Sequence, residues 1–267
     1  LCGSCQHLKT WMMSMPPALH GTTYLSFIAS HDGIGLRPAE GLMDDEEINQ
    51  MVTMMEQFGG RISMRSLPGG GMRPYEINIS LFDAMKGTID GEDEWQIPRF
   101  LCAHAIMIAL EGIPALYIHS FLGTHNDQEG VERTGHNRSI NRHRWDYEQL
   151  QAVLADENFS HAHVFQGLCH LLQVRRRQPA FHPNATQFTL HLGDAVFAFW
   201  RQSMDRQQSI FALNNVSNTE QNLPLSEINL IGTDSWIDLI SGEIYSNLRA
   251  ELVLKPYQVG WLTNMFE

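Results

Sequence analysis

Between residues 44 and 58 the apolar positions recur at helical spacing, which predicts a helix from Asp44 to Phe58. The apolar face of this helix consists of Ile48, Met51, Val52, Met55 and Phe58. Asp44 and Glu47 have the spacing of a capping box at the helix start, and Gly59-Gly60 is typical of a helix end. The methionine-rich face indicates core packing rather than a ligand-binding surface.

Other stretches of the first half alternate between helical and extended patterns. The segment from Thr22 to Ala29 is rich in β-branched and aromatic residues and predicts a strand. A helix is predicted from Pro98 to Glu111, a buried strand from Ala115 to His119, and a helix from Ser160 to Arg177. This alternation is typical of a β/α barrel.

From about Asn184 onward, short extended segments are separated by polar turns such as Gly193-Asp194 and Ser241-Gly242. The predicted strands are Gln187–Leu192, Ala195–Trp200, Ser209–Leu213, Trp236–Leu239, Ile244–Ser246, Glu251–Leu254 and Val259–Thr263. So many short strands in so few residues indicate an antiparallel sandwich.

Composition narrows the classes of protein that fit. The 267 residues are 43% hydrophobic, with 30 acidic against 18 basic residues and a formal net charge of -12. An acidic surface repels phosphodiester backbones, so no nucleic-acid partner is expected. The longest apolar run, Phe100 to Leu110, is too short for a membrane span and contains His104, so no membrane partner is expected either.

The chain starts with Leu1 and lacks the pattern of a signal peptide, which suggests a processed product or a piece of a longer polypeptide. Cys2 and Cys5 form an isolated C-x-x-C, a weak signal for a redox or metal role, whereas Cys102 and Cys169 fall in helical apolar patterns. We therefore expect a soluble protein in the reducing cytoplasm.

The segment Ser30 to Gly35 reads Ser-His-Asp-Gly-Ile-Gly and follows the strand predicted from Thr22 to Ala29. In parallel α/β barrels, active-site side chains collect at the C-terminal ends of strands, which would make His31 and Asp32 catalytic candidates. A glycine-assisted turn without chemistry explains the same residues equally well.

Two further polar segments are predicted as loops. Arg73 to Asn78 follows three glycines, and its Tyr75-Glu76 pair could donate and accept hydrogen bonds. Glu129 to Arg144 concentrates arginine, asparagine and histidine, which could bind sugar hydroxyls, carboxylates or phosphate. Each segment could equally be an exposed surface loop.

Two other kinds of site fit poorly. His161 and His163 are two residues apart in a predicted helix and cannot share a face, so these and His170 are interpreted as surface histidines and no metal site is expected. A Ser-His-Asp hydrolase is disfavoured because no G-x-S-x-G occurs and Ser30 is adjacent to His31.

Four motifs, in order along the chain, resemble the C-terminal portion of the α-amylase family of glycoside hydrolases, and in particular its sucrose phosphorylase subgroup. Phe27 to Gly35 is similar to the seventh-strand motif, and Tyr75-Glu76-Ile77-Asn78 to the Tyr-Gln-Val-Asn of the following mobile loop. Gly112 to Tyr117 resembles the eighth strand, and Ile140-Asn141-Arg142-His143 the motif after it.

This resemblance implies an α/β fold with two domains. Residues 1–180 would form the C-terminal part of a (β/α)8 TIM barrel, with strands seven and eight and an inserted helical subdomain at about 37–95. Residues 184–267 would form an all-β antiparallel sandwich domain.

The resemblance also implies roles for individual residues. Asp32 would stabilise the oxocarbenium-like transition state, His31 would bind the glucosyl unit, and Arg142 would close the glucose pocket. Tyr75 and Glu76 would contact phosphate or the acceptor, and His143 is a further substrate-binding candidate. No cofactor and no metal are implied.

The implied reaction is that of a retaining α-glucoside phosphorylase, which transfers a glucosyl unit to inorganic phosphate and gives α-glucose 1-phosphate. Its nucleophile and acid/base would lie upstream of the matched region, so the isolated chain should not turn over. Glu76 stands where sucrose phosphorylases have glutamine, which favours glucosylglycerate or glucosylglycerol over sucrose. The alternatives are an α-glucosidase or transglucosidase of the same family, and a non-catalytic carbohydrate-binding or structural fragment.

Overall fold

The structure is a computed structural model, and it describes residues 1–19 and 21–265. The helices are α1 Gln6–Ser14, α2 Asp45–Gln57, α3 Leu81–Ala84, α4 Gln96–Ala109, α5 Ile118–Phe121, α6 Gln128–Thr134, α7 Tyr147–Ala155, α8 Ser160–Arg175 and α9 Leu225–Ile228. The strands before residue 120 are β1 Leu25–Ser26, β2 Ile34–Gly35, β3 Arg61–Ser66, β4 Met72–Asn78, β5 Gly87–Thr88, β6 Gly91–Glu92 and β7 Ile113–Pro114. The later strands are β8 Thr186–His191, β9 Val196–Gln202, β10 Ser209–Asn215, β11 Gln221–Pro224, β12 Trp236–Asp238, β13 Ile244–Tyr245, β14 Glu251–Leu254 and β15 Val259–Thr263.

The chain divides into two compact units, each built from separate segments. The first contains Leu1, Phe27–Phe100 and Leu116–Leu168, and the second contains the described residues of Cys2–Ser26, Leu101–Ala115 and Cys169–Glu267. These units do not follow the single boundary near residue 180 that the sequence suggests, so the ranges 1–180 and 184–267 stay a prediction.

The first unit is organised around α2 and a three-stranded antiparallel sheet with the order β2-β4-β3. The side chain of Asp44 accepts a hydrogen bond from the N–H of Glu47, and the Glu47 carboxylate accepts one from the N–H of Asp44. The predicted capping box is therefore present, and Ile48, Val52 and Met55 of α2 are buried in one apolar cluster with Ile77 of β4. The insertion at about 37–95 is thus a mixture of helix and sheet, because its polar stretches pair as strands, and the expected helical subdomain is wrong.

In the second unit, a six-stranded antiparallel sheet has the order β13-β12-β15-β10-β9-β8. Its apolar face packs in a core that includes Phe211, Trp236 and Leu262, and Trp200 stacks on Phe211 at 5.5 Å between ring centroids. The seven predicted strands are present, with β14 and β15 at the predicted bounds. β11 was not predicted, because Leu223 is the only buried residue of its four and the segment therefore lacks an apolar pattern. It pairs with β14 as a separate two-stranded ladder.

The second unit also contains a short parallel pair of strands. β1 and β7 pair in parallel, with Leu25 opposite Ile113 and Ser26 opposite Pro114. Of the strand predicted over Thr22–Ala29, only Leu25 and Ser26 are paired. Within the described residues, β7 is the only strand that pairs with them, and it is two residues long.

The strand predicted from Ala115 to His119 is wrong. The extended pair is β7, two residues earlier, and the helix α5 begins at Ile118. A short apolar run does not distinguish a strand from a buried helical turn, because neither period is completed within it. The helices predicted from Pro98 and Ser160 are present as α4 and α8, and α4 begins at Gln96 because proline is tolerated in the first turn of a helix.

Within residues 1–19 and 21–265, no helix is both long and apolar enough to cross a membrane. The four cysteines are free thiols; Cys5 and Cys102 are buried, Cys169 is half-buried and Cys2 is exposed.

Candidate active site

The His31-Asp32 pair lies in a tight turn of the first unit. Ser30 and Gly33 exchange two backbone hydrogen bonds of 3.2 and 3.1 Å, which close the turn around the pair. Gly33 has a φ of +119°, and a Cβ placed on it would lie 2.2 Å from the carbonyl oxygen of Ile77. Only glycine therefore allows the turn to approach β4 this closely.

Strand β4 holds the turn from its other side. Ile34 pairs with Ile77 and Gly35 pairs with Glu76 across the β2–β4 ladder. The side-chain amide of Asn78 donates a hydrogen bond of 2.8 Å to the backbone carbonyl of Asp32. The position of the Asp32 backbone is thus fixed by the sheet.

The segment Arg73–Asn78 was predicted as a loop, and this is wrong. It belongs to β4, which forms an antiparallel hairpin with β3. The three glycines Gly69, Gly70 and Gly71 form the hairpin tip, with φ values of +96°, +96° and +94°. They are thus the turn itself rather than a lead into a loop, because consecutive positive φ angles reverse the chain.

Glu76 is a buried carboxylate at the end of β4. Its residue is 6% exposed, and Arg138 donates to both carboxylate oxygens, from Nε to Oε1 at 3.0 Å and from Nη2 to Oε2 at 2.8 Å. The amide of Asn78 also donates to Oε1. This bidentate geometry gives a strong and well-oriented ion pair.

The arginines of the site come from a 3-10 helical turn, Asn137–Asn141, and the residue after it. The prediction of a loop over Glu129–Arg144 is wrong, because α6 occupies its first part and ends at Gly135 in the left-handed conformation. The amide of Asn141 donates to the carbonyl of Ser30 at 2.8 Å, and the Tyr117 hydroxyl donates to the carbonyl of Asn141 at 2.7 Å. These bonds hold the turn against the His31-Asp32 segment.

One carboxylate oxygen of Asp32 lies close to nitrogen atoms of three neighbouring side chains. Its Oδ1 lies 3.0 Å from Nη2 of Arg142, 3.1 Å from Nη1 of Arg138 and 3.3 Å from Nε2 of His31. Arg142 also donates from Nε to the backbone carbonyl of His31 at 3.1 Å. The Asp32 side chain is 29% exposed, so its carboxylate is accessible to a ligand.

Neighbouring pKa values reflect this concentration of charge. The pKa of Arg138 is raised, first by its hydrogen bond to Glu76 and to a smaller degree by the charges of Asp32 and Tyr75. Burial raises the pKa of Tyr117, and the negative charge of Asp32 raises it further while Arg142 opposes the rise. Tyr117 therefore stays a neutral hydrogen-bond donor beside the site.

The structure brings His31, Asp32, Glu76 and Arg142 together but leaves His143 with other partners. Nδ1 of His143 lies 3.3 Å from Oδ2 of Asp127, and its ring packs edge-on against Trp145. Tyr75 accepts a backbone hydrogen bond from Leu36.

Arg138 completes the cluster, although its residue type and position did not single it out in the sequence. It lies four residues before Arg142 in the same polar segment, and that spacing was the signal that could have identified it. Its partner Glu76 is 62 residues away, so the pairing itself follows from the fold.

An open cleft of about 520 Å³ adjoins the arginines. It is lined by Ser63, Gly135, His136, Asn137, Arg138, Ser139 and Arg142. Its lining is cationic or neutral, and none of these described residues carries a carboxylate.

A cluster of aromatic and histidine rings lies elsewhere in the first unit. His161 is buried, so its interpretation as a surface histidine is wrong, whereas His163 and His170 are exposed. The His161 ring contacts those of Trp145 and His125 at centroid distances of 5.1 and 5.6 Å. Among the described residues, no group of three or more metal-ligating side chains could hold a metal ion.

This ring cluster should make stability depend on pH. Burial lowers the pKa of His161, the neighbouring His125 and His143 lower it further, and its hydrogen bond with the Leu122 carbonyl opposes the change. The unfolded chain therefore takes up the proton more readily, so the stabilisation is full above the pKa of free histidine, about 6.5, and is lost as pH falls from there towards the folded-state pKa. Urea unfolding between pH 7.5 and 5.5 should show this loss, with a slope of at most about 1.4 kcal/mol per pH unit for this group.

His161→Asn should reduce the slope, whereas His163→Gln, an exposed change on the same helix, should leave it unaltered. An equal slope in the wild type and in His161→Asn would contradict this assignment.

The chain is similar in sequence to known glycoside phosphorylases. The chain is 36% identical over 265 residues to the glucosylglycerate phosphorylase of Spirochaeta thermophila, covering 96% of this chain and 45% of that protein. It is 35% identical to the glucosylglycerate phosphorylase of Escherichia coli (strain K12), covering 96% of this chain and 44% of that protein. The chain thus spans less than half the length of these relatives. No protein-family model matches it.

A solved structure agrees in fold. The sucrose 6F-phosphate phosphorylase from Thermoanaerobacter thermosaccharolyticum superposes with a TM-score of 0.66 at 22% identity, covering 80% of this chain and 40% of that protein. The sequence relatives are glycoside phosphorylases, and the resemblance expected from the motifs is confirmed at that level. Within that class, the chain matches the C-terminal portion of glucosylglycerate phosphorylases.

Proposed function

We propose that this chain forms the C-terminal part of a retaining α-glucoside phosphorylase that transfers a glucosyl unit from glucosylglycerate to inorganic phosphate. The observation that carries the proposal is the cluster of Asp32, Arg138, Arg142 and Glu76, which joins three of the motifs shared with phosphorylases. The identity of 35% and 36% to glucosylglycerate phosphorylases supports this donor over sucrose.

In this proposal β1 and β7 are the seventh and eighth strands of a (β/α)8 barrel, and the remaining strands come from the part of the protein outside this chain. Two observations support the assignment, namely the parallel pairing of β1 with β7 and the position of Asp32 six residues after β1. Active-site side chains follow the C-terminal ends of strands in such barrels.

The proposed roles follow from what each group can offer a sugar. Asp32 stabilises the positive charge of the oxocarbenium-like transition state, and its partly exposed carboxylate accepts hydrogen bonds from sugar hydroxyls. His31, which is 66% exposed at its side chain, donates to the glucosyl unit, and Arg142 closes the pocket around it. Tyr75 and His143 remain proposed substrate contacts at the edge of the site.

The reaction needs a nucleophile and an acid about 5 Å apart, both from the rest of the full-length protein. The nucleophile attacks the anomeric carbon, the bond from that carbon to the glycerate oxygen breaks, and the acid gives its proton to the departing oxygen. Phosphate then attacks the same carbon, and the glucosyl–enzyme ester bond breaks. The proton from phosphate returns to the acid group, and the product is α-glucose 1-phosphate.

The test requires the full-length protein, meaning a polypeptide that carries this chain and has the length of its relatives. Incubated with glucosylglycerate and phosphate, it should release glucose 1-phosphate and glycerate in equal amounts. This chain alone should give no turnover, because losing the nucleophile and the acid/base costs many orders of magnitude in rate. Free glucose without glucose 1-phosphate, even at high phosphate concentration, would instead identify a hydrolase.

A further inference from the structure

The cleft beside the site presents the hydrogen-bond donors of an anion-binding surface. Arg138 and Arg142 line it together with His136, and the other lining groups, such as Ser63 and Asn137, are neutral hydrogen-bonding residues. The two carboxylates of the cluster, Asp32 and Glu76, are not part of its lining. An acidic protein with a net charge of -12 thus concentrates basic side chains at this place, and Asp32 and Glu76 pair with the two arginines.

The carboxylate of Glu76 fixes the orientation of the Arg138 guanidinium group. Its Nε and Nη2 donate to the two oxygens of Glu76, which occupies one edge of the guanidinium group. An arginine has five N–H donors, and besides the two on Glu76 one on Nη1 faces Oδ1 of Asp32 at 3.1 Å, which leaves one donor on each Nη for a ligand. The side chain is 42% exposed, so these donors can reach a ligand in the cleft.

Glu76 is not available to bind a ligand directly. Its two oxygens accept hydrogen bonds from Arg138 and Asn78, and the residue is almost completely buried. Its effect on a ligand in the cleft must therefore pass through the guanidinium group that it orients. A glutamine at this position would present one acceptor and one donor, so it could not hold both N–H groups of Arg138.

We infer that Arg138 binds the anionic oxygens of the acceptor in this cleft, either the carboxylate of the acid or inorganic phosphate, and that Glu76 is the positioning residue that orients it. The inference rests on the proposed function for the identity of the acid, glycerate. A planar guanidinium fork matches a carboxylate or a phosphate in two parallel hydrogen bonds, whereas a neutral polyol offers no such partner. Arg138 would thus determine the preference for an acid acceptor over a neutral one.

The experiment uses the full-length protein and compares two acceptors in the direction of glucoside synthesis, glycerate and the neutral glycerol. Arg138→Gln should lower the ratio of kcat/KM for glycerate to that for glycerol by about 10- to 100-fold, since a hydrogen-bonded charge is lost. The KM for phosphate in phosphorolysis separates the two sources of the anion. If the KM of Arg138→Gln rises for glycerate alone, Arg138 binds the carboxylate of the acceptor. If the KM rises for both glycerate and phosphate, the two anions share one site.

Three variants make the result specific. Arg138→Lys keeps the charge without the fork and should recover only part of the ratio. Glu76→Gln should lower the ratio less than Arg138→Gln and mainly through the KM for glycerate. Arg65→Gln is the matched control, because Arg65 forms a similar ion pair with Glu40 at 2.7 Å in the same sheet, and it should leave the ratio unchanged.

Calorimetric binding of glycerate and phosphate to the same proteins gives a readout that does not depend on turnover. Turnover with an unchanged ratio in Arg138→Gln would overturn the role of Arg138 and leave the proposed function standing. If the wild type binds glycerate but makes no glucose 1-phosphate, and Arg138→Gln loses that binding, the proposed function is overturned and the role of Arg138 stands. Neither binding nor turnover would overturn both.

Discussion

Replacing Asp32 by asparagine is expected to lower kcat of the full-length protein by between about a hundredfold and a thousandfold. The carboxylate of Asp32 is the anionic group on which Arg138, Arg142 and His31 converge, and its side chain is partly exposed. An amide has no full negative charge to stabilise the oxocarbenium-like transition state. The loss should therefore appear mainly in kcat, since the charge on the sugar develops as the bond breaks.

The same substitution should affect folding little. The side chain of Asp32 is 29% exposed and its arginine partners are more exposed still, and ion pairs of this kind contribute about 1 kcal/mol or less each. Thermal unfolding of the variant measures this directly. Asp45→Asn is the control, because Asp45 also pairs with an arginine, Arg73, but lies outside the cluster. Turnover close to that of the wild type in Asp32→Asn would remove Asp32 from the mechanism.

Gly33→Ala is expected to destabilise the protein by about 3–5 kcal/mol. Two costs add: a left-handed backbone angle that alanine disfavours, and a Cβ that would lie 2.2 Å from the Ile77 carbonyl oxygen. Because that oxygen belongs to the β4 backbone, the clash can be relieved only by moving the strand or the turn. The Asp32 turn should shift as a consequence, so kcat should fall as well.

Gly35→Ala supplies the comparison within the same motif. A Cβ on Gly35 meets no atom within 4 Å, and its backbone angle is not in the left-handed region. The free energy of unfolding measured in urea should therefore change by less than about 1 kcal/mol for this variant. Equal unfolding free energies for Gly33→Ala and Gly35→Ala would refute the requirement for glycine at the turn.

Features of the fold that depend on neighbouring residues could be predicted from the sequence. The start of α2 follows from Asp44 and Glu47, which lie three residues apart and exchange hydrogen bonds with each other's backbone. β14 alternates between exposed and buried residues, which fixes its bounds. Such signals are complete within a few residues and need no knowledge of tertiary contacts.

Other features depend on contacts that no local pattern encodes. Glu76 was predicted in a loop because glycines precede it, yet those glycines turn a hairpin whose strands pair through long-range contacts. Motif order brought Asp32, Glu76 and Arg142 into consideration. The ion pair between Glu76 and Arg138 could be identified only from the structure, because a sequence does not distinguish a buried charged residue from an exposed one.

The glycine tip of the β3–β4 hairpin has a practical consequence for following this protein in solution. No atom comes within 4 Å of a Cβ built on Gly69, Gly70 or Gly71, so the tip has room for additional residues. Loop tips of this kind tolerate insertions. A fluorescent reporter inserted between Gly70 and Gly71 would lie about 20 Å along the strand from Glu76, since each strand residue advances about 3.4 Å. At that distance, energy transfer to a second fluorophore attached beside the cleft would follow ligand entry, and the insertion would leave the arginine cluster undisturbed.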